Sequence, residues 1–146
     1  MHPSIFREYD IRGVVGDTLT PEIARLIGAG FAATLLEELG HANAVAVGYD
    51  GRLSSPGLDK ALCEGVTSTG VDVLHVGRGP TPLLYYAAMT QKTAGAIMIT
   101  GSHNPPDHNG FKIMSGAKPF YGQDIKNLYA RIRKGNFPTG SGTRRD

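Results

Sequence analysis

Short apolar runs at Ala44–Tyr49, 71–76 and 94–100 alternate with stretches of helical period, and these helical stretches open on a hydroxyl residue followed by proline: Thr20-Pro21, Ser55-Pro56 and Thr81-Pro82. Proline fits the first helical position, where its missing N–H is no loss, while the preceding hydroxyl caps the exposed amides. After Thr20, the residues Ile23, Ile27, Phe31 and Leu35 recur every fourth position and Gly40 supplies a stop, which predicts an amphipathic helix over Pro21–Leu39. Leu58, Leu62 and Val66 predict a shorter helix ending near Gly70, and further helices are expected over 82–90 and Gln123–Lys134. Strands alternating with helices call for a layered structure around a largely parallel sheet. Asn109-Gly110 predicts a hairpin turn returning through 111–114, which adds an antiparallel strand. The expected fold is a three-layer α/β/α domain with a mixed, mostly parallel sheet of about four strands.

At 146 residues, 40% of them hydrophobic and 19% charged, the chain has the make-up of one soluble globular domain with its own core. That domain is expected over residues 1–134. Residues 135–146 are breaker-rich and almost free of apolar side chains, so they read as a linker or flexible tail. A net charge of +2 without a Lys/Arg-rich block gives no footprint for nucleic acid. No run approaches the roughly 20 apolar residues that span a bilayer, and no basic-then-apolar leader is present, so the expectation is a cytoplasmic protein without membrane contact. The single Cys63 excludes an internal disulfide and a cysteine-built zinc cluster, and reads as a quiet, partly buried thiol. His2, His41 and His75 are scattered and receive no role.

The chemistry concentrates in Thr100-Gly101-Ser102-His103-Asn104-Pro105-Pro106-Asp107-His108-Asn109-Gly110-Phe111-Lys112, which follows a predicted strand. Gly101 leaves room beside the Ser102 hydroxyl, and the two prolines stiffen the backbone beyond it. An acyl-transferring serine usually sits on a Gly-x-Ser-x-Gly elbow that runs into a helix. Here the prolines forbid that helix. A serine that carries a phosphoryl group needs donors and cations instead, and His103, Asn104, backbone amides and Lys112 supply them. Lys112 follows at a distance that a hairpin folds back toward Ser102. Tyr9 and Arg12 add a ring with a hydroxyl and a guanidinium fork suited to a phosphosugar. Arg7, Asp10 and Arg52 read as weaker candidates, with an Asp/Arg tie between loops as the plainer account of them. Only His103 and His108 are clustered, flanked by Asp107, whereas zinc sites usually want three or four convergent ligands, so His103 reads as a donor near the serine and His108 as a partly exposed loop residue.

The serine loop, together with Phe6-Arg7-Glu8-Tyr9-Asp10-Ile11-Arg12-Gly13, Val47-Gly48-Tyr49-Asp50-Gly51-Arg52 and Gly79-Pro80-Thr81-Pro82, resembles the first domain of the α-D-phosphohexomutase family, to which bacterial phosphomannomutase/phosphoglucomutase belongs. The resemblance implies that Ser102 is the phosphoryl carrier, that Lys112 and Arg12 assist transfer, and that Tyr9, His103 and Asn104 line the substrate. It implies mannose or glucose 1- and 6-phosphates as substrates, interconverted through a bisphosphorylated sugar. It also implies Mg2+, held by the Ser102 oxygen and by three aspartates of a second-domain Asp-Gly-Asp-Gly-Asp loop that this sequence lacks. The remaining domains of the enzyme would then be partners, residues 135–146 would lead toward the second, and the chain alone would be inactive as a mutase. His108 departs from the tyrosine common there in close relatives. A non-catalytic phosphate-binding module is the alternative reading.

Overall fold

The computed structural model describes residues 1–101, 103–135 and 137–146. Helix α1 occupies Pro21–Leu39, as the period predicts. The Thr20 hydroxyl accepts a hydrogen bond from the Ile23 amide, and Gly40 closes the helix at φ 77°, a left-handed cap that glycine adopts without strain. The other two hydroxyl–proline pairs sit one position later than predicted. Helix α2 spans Ser55–Thr67 and α3 spans Thr81–Thr90, so Ser55 and Thr81 are first residues and Ser54 and Pro80 flank them. Ser55 is drawn inward because its hydroxyl donates to Asp50 at 2.6 Å rather than capping the helix. Helix α4 covers Gln123–Lys134.

The strands are β1 Ile11–Val14, β2 Ala44–Tyr49, β3 Asp72–Arg78, β4 Gly95–Ile99, β5 His108–Ser115, β6 Lys118–Pro119 and β7 Arg144–Arg145. They form one mixed sheet in the order β1-β5-β4-β2-β3-β7, with β6 beside β5. Strands β4, β2, β3 and β7 run parallel, and β5 is antiparallel to β4, β1 and β6. The class is as expected, but the described residues form a sheet of seven strands rather than about four. The extra ones are short or polar, which is why apolar periodicity does not announce them.

The Asn109-Gly110 turn is a correction. Both residues lie inside β5, where Asn109 pairs with Gly13 and Gly110 with Arg12, and the reversal is made earlier in the loop. Gly110 serves a close approach, since a Cβ there would overlap the Ile11 carbonyl oxygen.

Residues alternate across the sheet, as pleating requires. Val45, Val47, Ile97, Ile99, Phe111 and Ile113 face the larger core, built with α1, α2 and α4. Ala46, Ala96 and Met98 face α3 through Leu84 and Ala88. Three layers result, with thinner cover on the α3 side. Residues 140–145 lie along the domain: the Gly140 and Gly142 amides donate to the Ser68 and Thr67 carbonyls at 2.9 Å, and β7 extends the sheet beyond β3. Among the described residues no helix is long and apolar enough to cross a membrane.

Candidate functional site

Strands β2 and β4 are parallel neighbours, so the loops leaving their carboxyl ends meet, the usual place for a site in an open α/β sheet. Asp50, just past β2, joins them. Its carboxylate accepts the Gly101 amide at 3.0 Å, the Ser55 hydroxyl at 2.6 Å and the Arg52 amide at 3.1 Å. Burial by itself raises the Asp50 carboxyl, but the bonds from Ser55, Arg52, Gly101 and Thr100 outweigh it and hold the group below its ordinary 3.8.

Arg52 then closes over the serine loop. Its guanidinium donates to the carbonyls of Asn104 at 2.8 Å, Pro105 at 2.6 Å and His108 at 3.1 Å. Gly101 has to be glycine here, because a Cβ would fall inside that guanidinium. Asn104 folds the loop onto itself, with its side-chain amide donating to the Gly101 carbonyl at 2.7 Å. Asn109 is fully buried and donates to the Ser54 and Ser55 hydroxyls at 2.9 and 3.0 Å, tying β5 to the start of α2. These side chains make one rigid frame.

Ser102, the predicted phosphoryl carrier and metal ligand, lies outside the described residues. Its surroundings are described. Arg12 of β1 donates to the Asn104 side-chain carbonyl at 3.1 Å and to Asp10 at 2.7 Å. Arg12 and Lys112 share one sheet face, since Arg12 pairs with Gly110 and Lys112 is two residues on. Both line a cleft of about 970 Å³, together with Tyr9, Tyr85, Tyr121 and the segment Arg7–Asp10. Tyr9 is 75% exposed and stacks on Tyr121 at 6.0 Å between ring centres. The Gly122 amide donates to the Glu8 carbonyl at 2.6 Å and so secures this wall. Burial raises the Tyr85 phenol. His103 is exposed on the loop, and His108 is held by Asp107 at 2.8 Å.

The structure therefore brings Tyr9, Arg12 and Lys112 into one cleft and joins Asn104 to Arg12. It gives Arg52, ranked low from sequence, the work of shaping the loop. The signal was present in Asp50-Gly51-Arg52, but its meaning depends on carbonyls about fifty residues away. A hard cation prefers several converging oxygen ligands. Here Asp50 is occupied by N–H and O–H donors, Asp10 by Arg12 and Asp107 by His108. The described carboxylates around the loop do not make a magnesium site by themselves.

Fold and cleft define an α/β/α domain that sets a clamped polar loop beside a cationic, tyrosine-walled cleft. Residues 3–139 match the family model described as phosphoglucomutase/phosphomannomutase, alpha/beta/alpha domain I, and the chain belongs to that family. It is 47% identical over 97% of its length to a phosphoglucomutase of Neisseria meningitidis, and 49% identical over 96% of its length to a phosphomannomutase/phosphoglucomutase of Pseudomonas aeruginosa. These alignments cover 31% and 30% of the two relatives, so the chain spans about a third of their length. A crystal structure of a phosphoglucomutase/phosphomannomutase family protein from Burkholderia thailandensis superposes with a TM-score of 0.94 at 44% identity, covering 99% of this chain and 33% of that one.

Proposed function

We propose that this chain is the phosphoserine-bearing domain of a cytoplasmic phosphomannomutase/phosphoglucomutase that interconverts hexose 1-phosphates and 6-phosphates. The observation that carries the reading is the pairing of a loop clamped at three carbonyls by Arg52 with Arg12 and Lys112 on the adjoining sheet face. A phosphoryl carrier needs a fixed oxygen and cations beside it, and needs no acyl-transfer elbow.

Phosphorylated Ser102 carries about −1.5 to −2 charge at neutral pH. Its phosphoryl passes to the free hydroxyl of a hexose monophosphate: a sugar O–P bond forms, the Ser102 O–P bond breaks, and the hydroxyl proton ends on the serine oxygen. The bisphosphorylated sugar then turns and returns its other phosphoryl to Ser102. Lys112 neutralises the transferring oxygens or relays the proton, and Arg12 orients the phosphate. Tyr9, His103 and Asn104 line the substrate. Magnesium supplies a hard cation that neutralises charge on the dianion. Its carboxylate ligands come from a part of the whole enzyme beyond this sequence, with residues 135–146 as the linker leading there.

Mass spectrometry after incubation with glucose 1,6-bisphosphate tests the carrier. One added phosphoryl that maps to Ser102 and is lost in Ser102→Ala is expected. A folded chain that binds the bisphosphate but is never modified would instead support a phosphate-binding module.

A further inference from the structure

Two residues left without chemistry in the sequence, Cys63 and His75, meet in the fold. Asp59 and Cys63 lie one turn apart on the same face of α2, and the Cys63 sulfur is 3.8 Å from Asp59 Oδ1. His75 projects from β3 against both, its Nε2 2.8–2.9 Å from the two Asp59 oxygens. Donor atoms of all three lie within 4.8 Å of one another, the only such trio among the described residues. All three side chains are over nine-tenths buried.

We infer that Asp59, Cys63 and His75 form a binding site for one borderline-soft divalent cation of the Zn2+ class. Tetrahedral zinc with bonds of about 2.0–2.3 Å sets its ligands about 3.3–3.8 Å apart. The sulfur–oxygen distance already fits, and the nitrogen–oxygen distance has to open by about half an ångström. Thiolate, carboxylate and neutral imidazole together carry two negative charges, which balance the ion. An Asp–His tie would need no sulfur at the same corner. The second shell agrees as well, since Asp146 lies 3.3 Å from His75 Nδ1, where a carboxylate orients a metal-bound imidazole.

Arg144 competes for the same charge. Its guanidinium lies 3.0–3.2 Å from the His75 ring nitrogens and 4.0 Å from Asp59. Burial and the neighbouring Asp59 push the Cys63 thiol up to about 12, so the metal has to displace its proton to solvent, as a coordinating dication does. Entry of the ion thereby displaces the Arg144 guanidinium from His75 and Asp59. The site shares no residue with the cleft, and two of its three donors are the nitrogen and sulfur that magnesium avoids.

Cobalt(II) titrated into the full 146-residue chain under reducing conditions tests this. A single equivalent is expected to produce a sulfur-to-cobalt charge-transfer band and the visible bands of a four-coordinate ion, both bleached by zinc. Cys63→Ser should remove the charge-transfer band and weaken zinc binding at least about tenfold, while Arg144→Ala should tighten it about tenfold by removing a competing cation. Failure of the parent chain to develop the band overturns the site, whatever the variants do. Persistence of the band in folded Cys63→Ser, or weaker zinc binding in Arg144→Ala, would also overturn it.

Discussion

Arg52 concentrates the most consequence in one side chain. A hydrogen bond from a charged donor contributes about 1.5–3 kcal/mol, and this guanidinium, only 18% exposed, serves three loop carbonyls. Lysine cannot reproduce that fork. Both Arg52→Ala and Arg52→Lys should therefore lower stability in urea by about 1.5–3 kcal/mol and slow phosphorylation of Ser102 at least about tenfold. A lysine variant that matched the parent in both would refute the clamp. Asp50 gives a pH counterpart. Its folded pKa is depressed, so its contribution is present above the ordinary value of 3.8 and is lost as pH falls through the lower folded value. The Gly101 amide resonance should shift with a midpoint below 3.8 and lose that shift in Asp50→Asn; a midpoint at or above 3.8 would refute the depression. The sequence made the polar loop legible because its residues are contiguous. The role of Arg52 and the meeting of His75 with Asp59 and Cys63 were not legible, because Arg52 reaches carbonyls about fifty residues away and His75 joins the α2 pair only when β3 packs against that helix.

Helices α1 and α2 touch backbone to backbone. A Cβ on Gly28 would overlap the Leu62 carbonyl, and one on Gly65 would overlap the Arg25 carbonyl. Neither glycine needs its conformational freedom, since neither has a positive φ; both are small so that the helices can meet. Gly57, also in α2, faces open space. Gly28→Ala and Gly65→Ala should each destabilise the domain by about 1–3 kcal/mol through overpacking, whereas Gly57→Ala should stabilise it by about 0.4–1 kcal/mol by restricting the unfolded chain. Urea unfolding of the three variants checks both signs, and equal effects would contradict this packing. The four main helices and the central strands were legible because their apolar faces repeat at fixed periods. β1, β6 and β7 were not, because short polar strands are defined by their neighbours. The Asn109-Gly110 prediction failed for a related reason: turn chemistry describes what a dipeptide can do, and pairing with β1 overrode it.

For the molecule as a whole, the cleft has one wall. Tyr9, Arg12, Lys112 and Tyr121 line it, and its far side is open to solvent. A site that retains a small ligand usually buries about 70–90% of its surface, which this wall alone cannot do. A mutase cycle makes a stricter demand than binding, because the bisphosphorylated sugar must stay captured while it turns between two phosphoryl transfers. On the proposed reading, the first transfer draws on the loop, on Arg12 and Lys112 and on magnesium from solution, and does not need the sugar to be held through a turn. The chain should thus complete half of the reaction: glucose 1,6-bisphosphate should phosphorylate Ser102, while glucose 1-phosphate with magnesium and activator should give no turnover above background. Adding the remaining two thirds of a relative such as the Pseudomonas aeruginosa phosphomannomutase/phosphoglucomutase as a separate polypeptide should restore turnover, and Lys112→Ala in this chain should abolish that restoration. A rate within the ordinary enzymic range of about 1–10³ s⁻¹ from the 146-residue chain alone would mean that the intermediate is held without a second wall, and the half-reaction account would fail.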